Sequence, residues 1–495
     1  MNKDRLSGLD SSFLHLERGP AHMHVASTTV FDGPPPHPED LKEHVRSRLH
    51  LVPRFRQKLR FVPLGGGRPV WVDDPHFNLD YHVRTTALPA PGSDEQLRIL
   101  AARVFSQRLD RSKPVWEMWL VEGLSDDRFA VVTKTHHCLV DGVSGIDITT
   151  VLFDTAEDPE GSADPDPQWV PDPEPSSAQL LGDALLERAT SPAEIARGVR
   201  RVFRAPRAAA KGAVDALEAA GTFAKAGLSA PASPFNVPIG PHRRFATVQA
   251  RLADFKRVKN HAGGTVNDVV LAAVAGGVRR YLHRHGHDTD GLELRALIPI
   301  SVRADDQRGA LGNRISAFQA PLPIWSEDPL ERLAAVSQTM GDLKSSKQAV
   351  GATMMTELAD FAPPTIAGQA ARLQPGQRFF NMVVTNIPGP QFPLYLMGRR
   401  LRALFPMVPL ARRQGVCFGI MSYDGEVGFG LIGDFDALAD LDDLASDLAD
   451  SIRELCAAVP ADQDAGAELS PEGSVNGAER HSSGPAGTPD RSGQS

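Results

Sequence analysis

The sequence predicts an α/β protein in two halves joined by a polar linker. Three observations carry this prediction. Short β-branched apolar runs such as Phe129-Ala130-Val131-Val132-Thr133 alternate with longer stretches, such as 95–108, whose apolar residues recur at helical spacing. Between Ala156 and Ser177 the composition shifts to Pro, Asp, Glu, Gly and Ser, which marks a linker or loop. The chain has 495 residues, 41% of them hydrophobic, which is enough for two cores.

The elements follow in order. After Leu6 to Leu14 the chain passes through Met23-His24-Val25 into a strand over 27–31. His22 and His24 stand alone in the sequence and suit structural roles. Residues 38–50 mix charge with Leu and Val at amphipathic spacing and predict a helix. Gly65-Gly66-Gly67 lacks the Lys-Ser/Thr of a phosphate loop, so it predicts a hairpin turn. A helix is expected over 95–108, and Pro114-Val115-Trp116 reads as a strand entry with an aromatic anchor. Residues 179–228 look mostly helical and carry Arg197, Arg200, Arg201, Arg204, Arg207 and Lys211. That cluster suits either a solvated helix face or an anionic lipid surface.

The second half begins near Phe235. Strands are expected from Arg243 to Leu252, from Leu297 to Arg303 and from Asn381 to Pro388. A helix of small residues runs to Leu282, with Thr265 or Asn267 as its cap, and a closing hairpin turns at Asp424-Gly425. From Pro460 the composition predicts disorder.

Charge and composition exclude several classes. A net charge of −8 and the absence of a recognition motif argue against nucleic acid as a partner. Cys138, Cys417 and Cys456 have no pairing logic, so a reduced, cytoplasmic setting is expected. The first residues lack an apolar signal core, and no run reaches the roughly 18 apolar residues of a spanning helix. If its substrates are lipids, a protein without such a helix meets them from the surface, so its place would be peripheral, on the inner membrane face or a lipid inclusion.

The chemistry concentrates at His136-His137-Cys138-Leu139-Val140-Asp141-Gly142. The apolar run before it reads as a strand, Gly142 permits a sharp turn, and a short helix is expected over 144–153. The histidines therefore sit where a rigid strand meets an accessible loop. A neutral imidazole with a pKa near about 6.5 takes a proton from an alcohol at cellular pH, provided its other nitrogen is fixed. Neighbours on a strand point to opposite faces, and no Cys/His cluster with zinc spacing lies nearby, so a metal is not expected. A satisfied core histidine remains an alternative. Nothing around Cys138 marks a reactive thiolate.

This motif resembles the active-site signature of the CoA-dependent acyltransferase superfamily. The chain as a whole resembles one branch, the bacterial wax ester synthase/acyl-CoA:diacylglycerol acyltransferase family. The resemblance extends over the N-terminal Leu6 to Leu14, Trp71-Val72-Asp73-Asp74 to His82-Val83, Pro114-Val115-Trp116 (Val where the family has Leu), Asn267-Asp268, Leu297 to Arg303, Gly312-Asn313 and Asn381 to Pro390 (Thr385 where Ser is common). It implies two chloramphenicol-acetyltransferase-like α/β domains with mixed sheets, flanking helices and a tunnel at their interface.

The corresponding organisation is an N-terminal half over 1–155, a linker and basic crossover over 156–234, a C-terminal half over 235–458 and a tail over 459–495. The implied reaction moves a fatty acyl group from acyl-CoA to diacylglycerol or a long-chain alcohol, with no cofactor beyond that co-substrate and no metal. His137 would be the general base and His136 its support. Asp141 would shape the loop and Gly142 its turn, with Asn267 as a candidate oxyanion donor. Asp268 reads as structural. Thr385 and Arg303 are candidate substrate contacts. A donor held on a carrier protein and a non-catalytic lipid-droplet protein are the two other readings.

Overall fold

The computed structural model describes residues 4–139, 152–158, 169–184, 186, 230–301, 315–345 and 380–460. Their strands are β1 (His24–Asp32), β2 (Gln57–Arg60), β3 (Val70–Asp73), β4 (Val83–Ala87), β5 (Trp116–Leu124), β6 (Arg128–His136), β7 (Arg243–Arg251), β8 (Glu293–Ser301), β9 (Ile315–Pro323), β10 (Met382–Pro388), β11 (Tyr395–Leu396), β12 (Arg399–Met407), β13 (Val416–Tyr423) and β14 (Glu426–Asp434). The helices are α1 (Gly8–Leu16), α2 (Pro38–Arg48), α3 (Leu79–His82), α4 (Asp94–Ser106), α5 (Leu252–Ala262), α6 (Val266–Arg284), α7 (Pro329–Ser345) and α8 (Leu441–Ala457).

Two six-stranded mixed sheets organise these elements. The first runs β11-β12-β1-β6-β5-β4 and the second β7-β14-β13-β10-β8-β9. In the first sheet only β4 and β5 are parallel. In the second, β10 runs parallel to both β13 and β8. The fold class read from the sequence is the one observed.

Local rules explain the elements. Ser93 and Gln96 form a reciprocal capping box that starts α4. Asp424 and Gly425 both adopt positive φ, 43° and 81°, which joins β13 to β14 in the tight turn read from Asp-Gly. Gly65-Gly66-Gly67 lies between the paired strands β2 and β3, as expected of a hairpin. Trp116 is buried at the start of β5, and its indole N–H donates to the Phe55 carbonyl at 2.8 Å. That bond satisfies the polar edge of a large apolar anchor.

Strand β12 departs from the half-by-half division. It lies within 235–458, yet it pairs with β1 in the first sheet, with Ala26 opposite Met407 and Thr28 opposite Phe405. It also crosses closely over the second sheet, where glycines make room. A Cβ on Gly430 would lie 1.9 Å from the Pro406 carbonyl oxygen, and one on Gly428 would lie 2.1 Å from that of Leu404. Only glycine allows backbone to approach backbone so closely. The apolar layer between the sheets draws on both, with Ala26, Val30 and Val132 from the first and Phe245, Cys417 and Ile432 from the second. A separate core lies between the second sheet and its helices.

Candidate active site

The histidine pair is placed by antiparallel pairing at one end of the first sheet. His136 is the last residue of β6 and lies opposite His24 of β1. Its N–H donates to the Val115 carbonyl at 2.9 Å, and the N–H of His137 donates to the Met23 carbonyl at 2.8 Å. The chain then turns, with the Leu139 N–H donating back to the His136 carbonyl at 2.8 Å. Asp141, Gly142 and most of the helix expected over 144–153 lie outside the described residues.

His136 is a buried, braced residue. Its Nδ1 accepts the Cys138 N–H at 3.2 Å, so its Nε2–H is the donor to the Glu17 carboxylate at 3.1 Å. Arg111 also holds Glu17, through Nε at 3.1 Å and through a second, shorter contact, and it donates to the Leu14 carbonyl at 3.2 Å. Burial alone would raise the Glu17 pKa. The bond from His136 and the charge and bonds of Arg111 outweigh that and bring it down to about 2. His22 lies 3.9 Å from Glu17 and stacks on His24 at 5.3 Å between ring centroids. These two histidines, single in the sequence, thus join one buried cluster with His136. Cys138 is 3% exposed, and burial pushes its thiol well above the ordinary range, which leaves it protonated and unreactive.

His137 has a different environment. Its ring is partly buried and stacks on Phe13, with centroids 4.0 Å apart and planes 26° apart. Its Nδ1 is buried, with no hydrogen-bond partner among the described residues. Burial lowers its pKa to about 4, and interactions with its own backbone and with His136 add smaller, opposing effects. The imidazole is therefore neutral at cellular pH.

The second sheet contributes a polar pair. Thr265 caps α6, exchanging hydrogen bonds with Asp268, so the cap that the sequence left open falls to Thr265. Asp268 has the structural role expected of it. Asn267 follows the cap, and its Oδ1 accepts from the Asn386 amide at 3.3 Å. Asn386 belongs to β10, beside the partly buried Thr385. The β8–β10 ladder ends at Leu297 and Val383, whereas β10 continues along β13 to Pro388. Asn386 and Thr385 therefore sit where two parallel strands part. Arg303 lies outside the described residues, as does the basic cluster from Arg197 to Lys211.

Glu17, Phe13, Arg111 and Asn386 were not singled out from the sequence. Each makes its site contact across more than 90 residues of chain. A faint signal exists for the first two, since Phe13 and Glu17 are one helical turn apart. Among the described residues, no cluster of three or more His, Cys, Asp or Glu side chains is arranged to hold a metal ion. No described helix is long and apolar enough to cross a membrane.

Comparison with known proteins first defines the fold class. The starter condensation domain of rhizomide synthetase superposes with a TM-score of 0.55 at 15% identity, covering 92% of this chain and 94% of that domain. At this identity the likeness concerns the fold, a pair of mixed α/β halves. The wax ester synthase/diacylglycerol acyltransferase from Marinobacter aquaeolei VT8 is nearer. It is 28% identical with a TM-score of 0.65, covering 91% of this chain and 98% of that one.

Two Mycobacterium tuberculosis relatives are each 33% identical. "Probable diacyglycerol O-acyltransferase tgs1" aligns over 463 residues, 92% of this chain and 96% of its own length. "Probable diacyglycerol O-acyltransferase tgs2" aligns over 461 residues, 91% and 98%. Residues 6–270 match the wax ester synthase/diacylglycerol acyltransferase catalytic domain, and residues 311–456 match the C-terminal domain of the same family. The chain belongs to the wax ester synthase/diacylglycerol acyltransferase family and is an acyltransferase of that kind.

Proposed function

We propose that this enzyme transfers a long-chain fatty acyl group from acyl-CoA to the free hydroxyl of diacylglycerol, forming triacylglycerol, with long-chain alcohols as a second acceptor class. Family membership supports the reaction class. The observation that carries the mechanism is the place of His137, just past the end of β6, with its backbone bonded to Met23 and its ring stacked on Phe13; burial lowers its pKa to about 4 and keeps the imidazole neutral.

In this reading the substrates meet in a tunnel between the halves. The acceptor O–H gives its proton to Nε2 of His137 as its oxygen attacks the thioester carbonyl. The carbonyl oxygen becomes an oxyanion, and the Asn267 amide N–H donates to it. Collapse breaks the C–S bond, and the thiolate takes the proton back from His137. Ester and CoA leave, with no acyl-enzyme formed.

A pKa of about 4 makes the resting ring a weak base. The negative charge that develops beside it favours the protonated ring, so its basicity rises in the transition state. His136 acts as support, with its proton fixed by Glu17. Asp141 and Gly142 shape the loop, and Thr385 and Arg303 contact substrate. The enzyme meets its lipid substrates peripherally, at a membrane or inclusion surface.

The test is formation of triacylglycerol and free CoA from palmitoyl-CoA and dioleoylglycerol, with hexadecanol as the competing acceptor. The expected result is acceptor-dependent product that disappears in His137→Ala. Folded wild type that releases no CoA with either acceptor would contradict the acyl-CoA reading and favour a carrier-bound donor or a binding role.

A further inference from the structure

We propose that Phe13 is a positioning residue of the transfer reaction, holding the His137 imidazole in one orientation and shielding one of its faces from water. The inference rests on His137 acting as the base. Rotation of an imidazole about its second side-chain torsion is soft unless something restrains it. No other described residue hydrogen-bonds the His137 ring, whose Nδ1 is buried without a partner. The contact that restrains it is the stacked Phe13 ring, 4.0 Å away and inclined by 26°. A flat face at that distance removes the rotational freedom and excludes water, yet leaves the ring edge open to a substrate.

Phe13 is itself well held. Helix α1 is capped by Ser7, whose hydroxyl accepts the Asp10 N–H at 3.0 Å. The Glu17 N–H donates to the Phe13 carbonyl at 3.2 Å and closes the last turn. The adjacent Leu14 is 5% exposed and anchors that turn in the apolar core. Phe13 and Glu17 are four residues apart and so lie on one face of the helix. The last turn of α1 and its C-cap thus serve both histidines, Phe13 against the ring of His137 and Glu17 on the N–H of His136. His136 is the titratable group that acts on the His137 ring among the described residues. Glu17 and Arg111 act on His136.

The experiment uses the full chain labelled at histidine Cε1. The chain holds 16 histidines, so the His137 resonance is assigned by its absence in His137→Gln. The wild-type signal should carry a ring-current shift and stay untitrated until the pH nears about 4. In Phe13→Ala that shift should vanish, and the titration midpoint should rise toward about 6.5 as water reaches the ring. Turnover should fall by about 10- to 100-fold while KM changes much less. Phe13→Leu keeps the bulk without the flat face, so turnover should fall while the midpoint stays low. If Phe13→Ala does not fold, Phe13→Leu decides the matter. Variants that fold like wild type and keep its turnover and its His137 resonance would overturn the proposal. Acceptor-dependent turnover surviving in His137→Ala would instead remove the reading of His137 as the base, whatever the Phe13 variants do.

Discussion

The two sheets hold their polar residues in contrasting ways. At the end of the first sheet the histidine pair is over-determined. Backbone bonds fix both residues, the Glu17 carboxylate, itself ion-paired with Arg111, holds the ring of His136, and a stacked ring covers His137. At the parting of β8 and β10 in the second sheet, Asn267 and Asn386 share one amide bond of 3.3 Å. A group that must transfer a proton needs its direction set beforehand, which the backbone bond and the stacked ring do for His137, whereas no described residue bonds its Nδ1 to set the tautomer. An amide that donates to a developing charge needs chiefly to point the right way. The first region should therefore break hard when mutated, and the second should lose rate before it loses stability.

Mutations test that contrast. His137→Ala should have the largest effect, a loss of turnover of about 10³-fold or more, measured as acceptor-dependent product, with the fold intact by circular dichroism. Next comes Glu17→Ala, which removes the carboxylate partner of the buried His136 and of the partly exposed Arg111. It should cost about 3 kcal/mol by denaturant unfolding, and a change under about 1 kcal/mol would show that the buried network is dispensable. Asn267→Ala should lower kcat by about 100-fold and leave the melting temperature near that of wild type. Unchanged kcat would remove it as the oxyanion donor.

The buried titratable groups add a dependence on pH. His22, His82 and His137 sit at about 4 in the folded protein, each lowered chiefly by burial, against an ordinary 6.5. The unfolded chain binds more protons in that window, so stability is full above about 6.5 and falls as the pH drops toward 4. Glu17 sits at about 2 against 4.5, so its contribution is present above 4.5 and is lost from there down to 2. The signs agree, and the melting temperature should fall steadily below pH 6.5. A flat profile between 6.5 and 4 would contradict the buried neutral histidines.

Much of this architecture was legible in the sequence because it is local. Asp424-Gly425 specified its hairpin, the Val and Thr run before His136 specified β6, and the small residues after Thr265 specified α6. The pairing of β12 with β1 was not legible, since nothing near Arg399–Met407 encodes a partner in the other half. The glycines that seat it, Gly428 and Gly430, read as ordinary strand glycines until the crossing backbone is in place. The site was half legible for the same reason. The motif announces its histidines, but Phe13 and Glu17 reach them across more than 100 residues, and a residue's own neighbours do not reveal what it stacks on.

Direct transfer with His137 as the base can be followed by rapid-quench thiol release from palmitoyl-CoA. Wild type mixed with donor alone should release no burst of CoA. Adding dioleoylglycerol should start release, and His137→Ala should abolish it. A burst stoichiometric with enzyme before any acceptor is added would reveal an acyl-enzyme, and undiminished release in His137→Ala would remove His137 as the base.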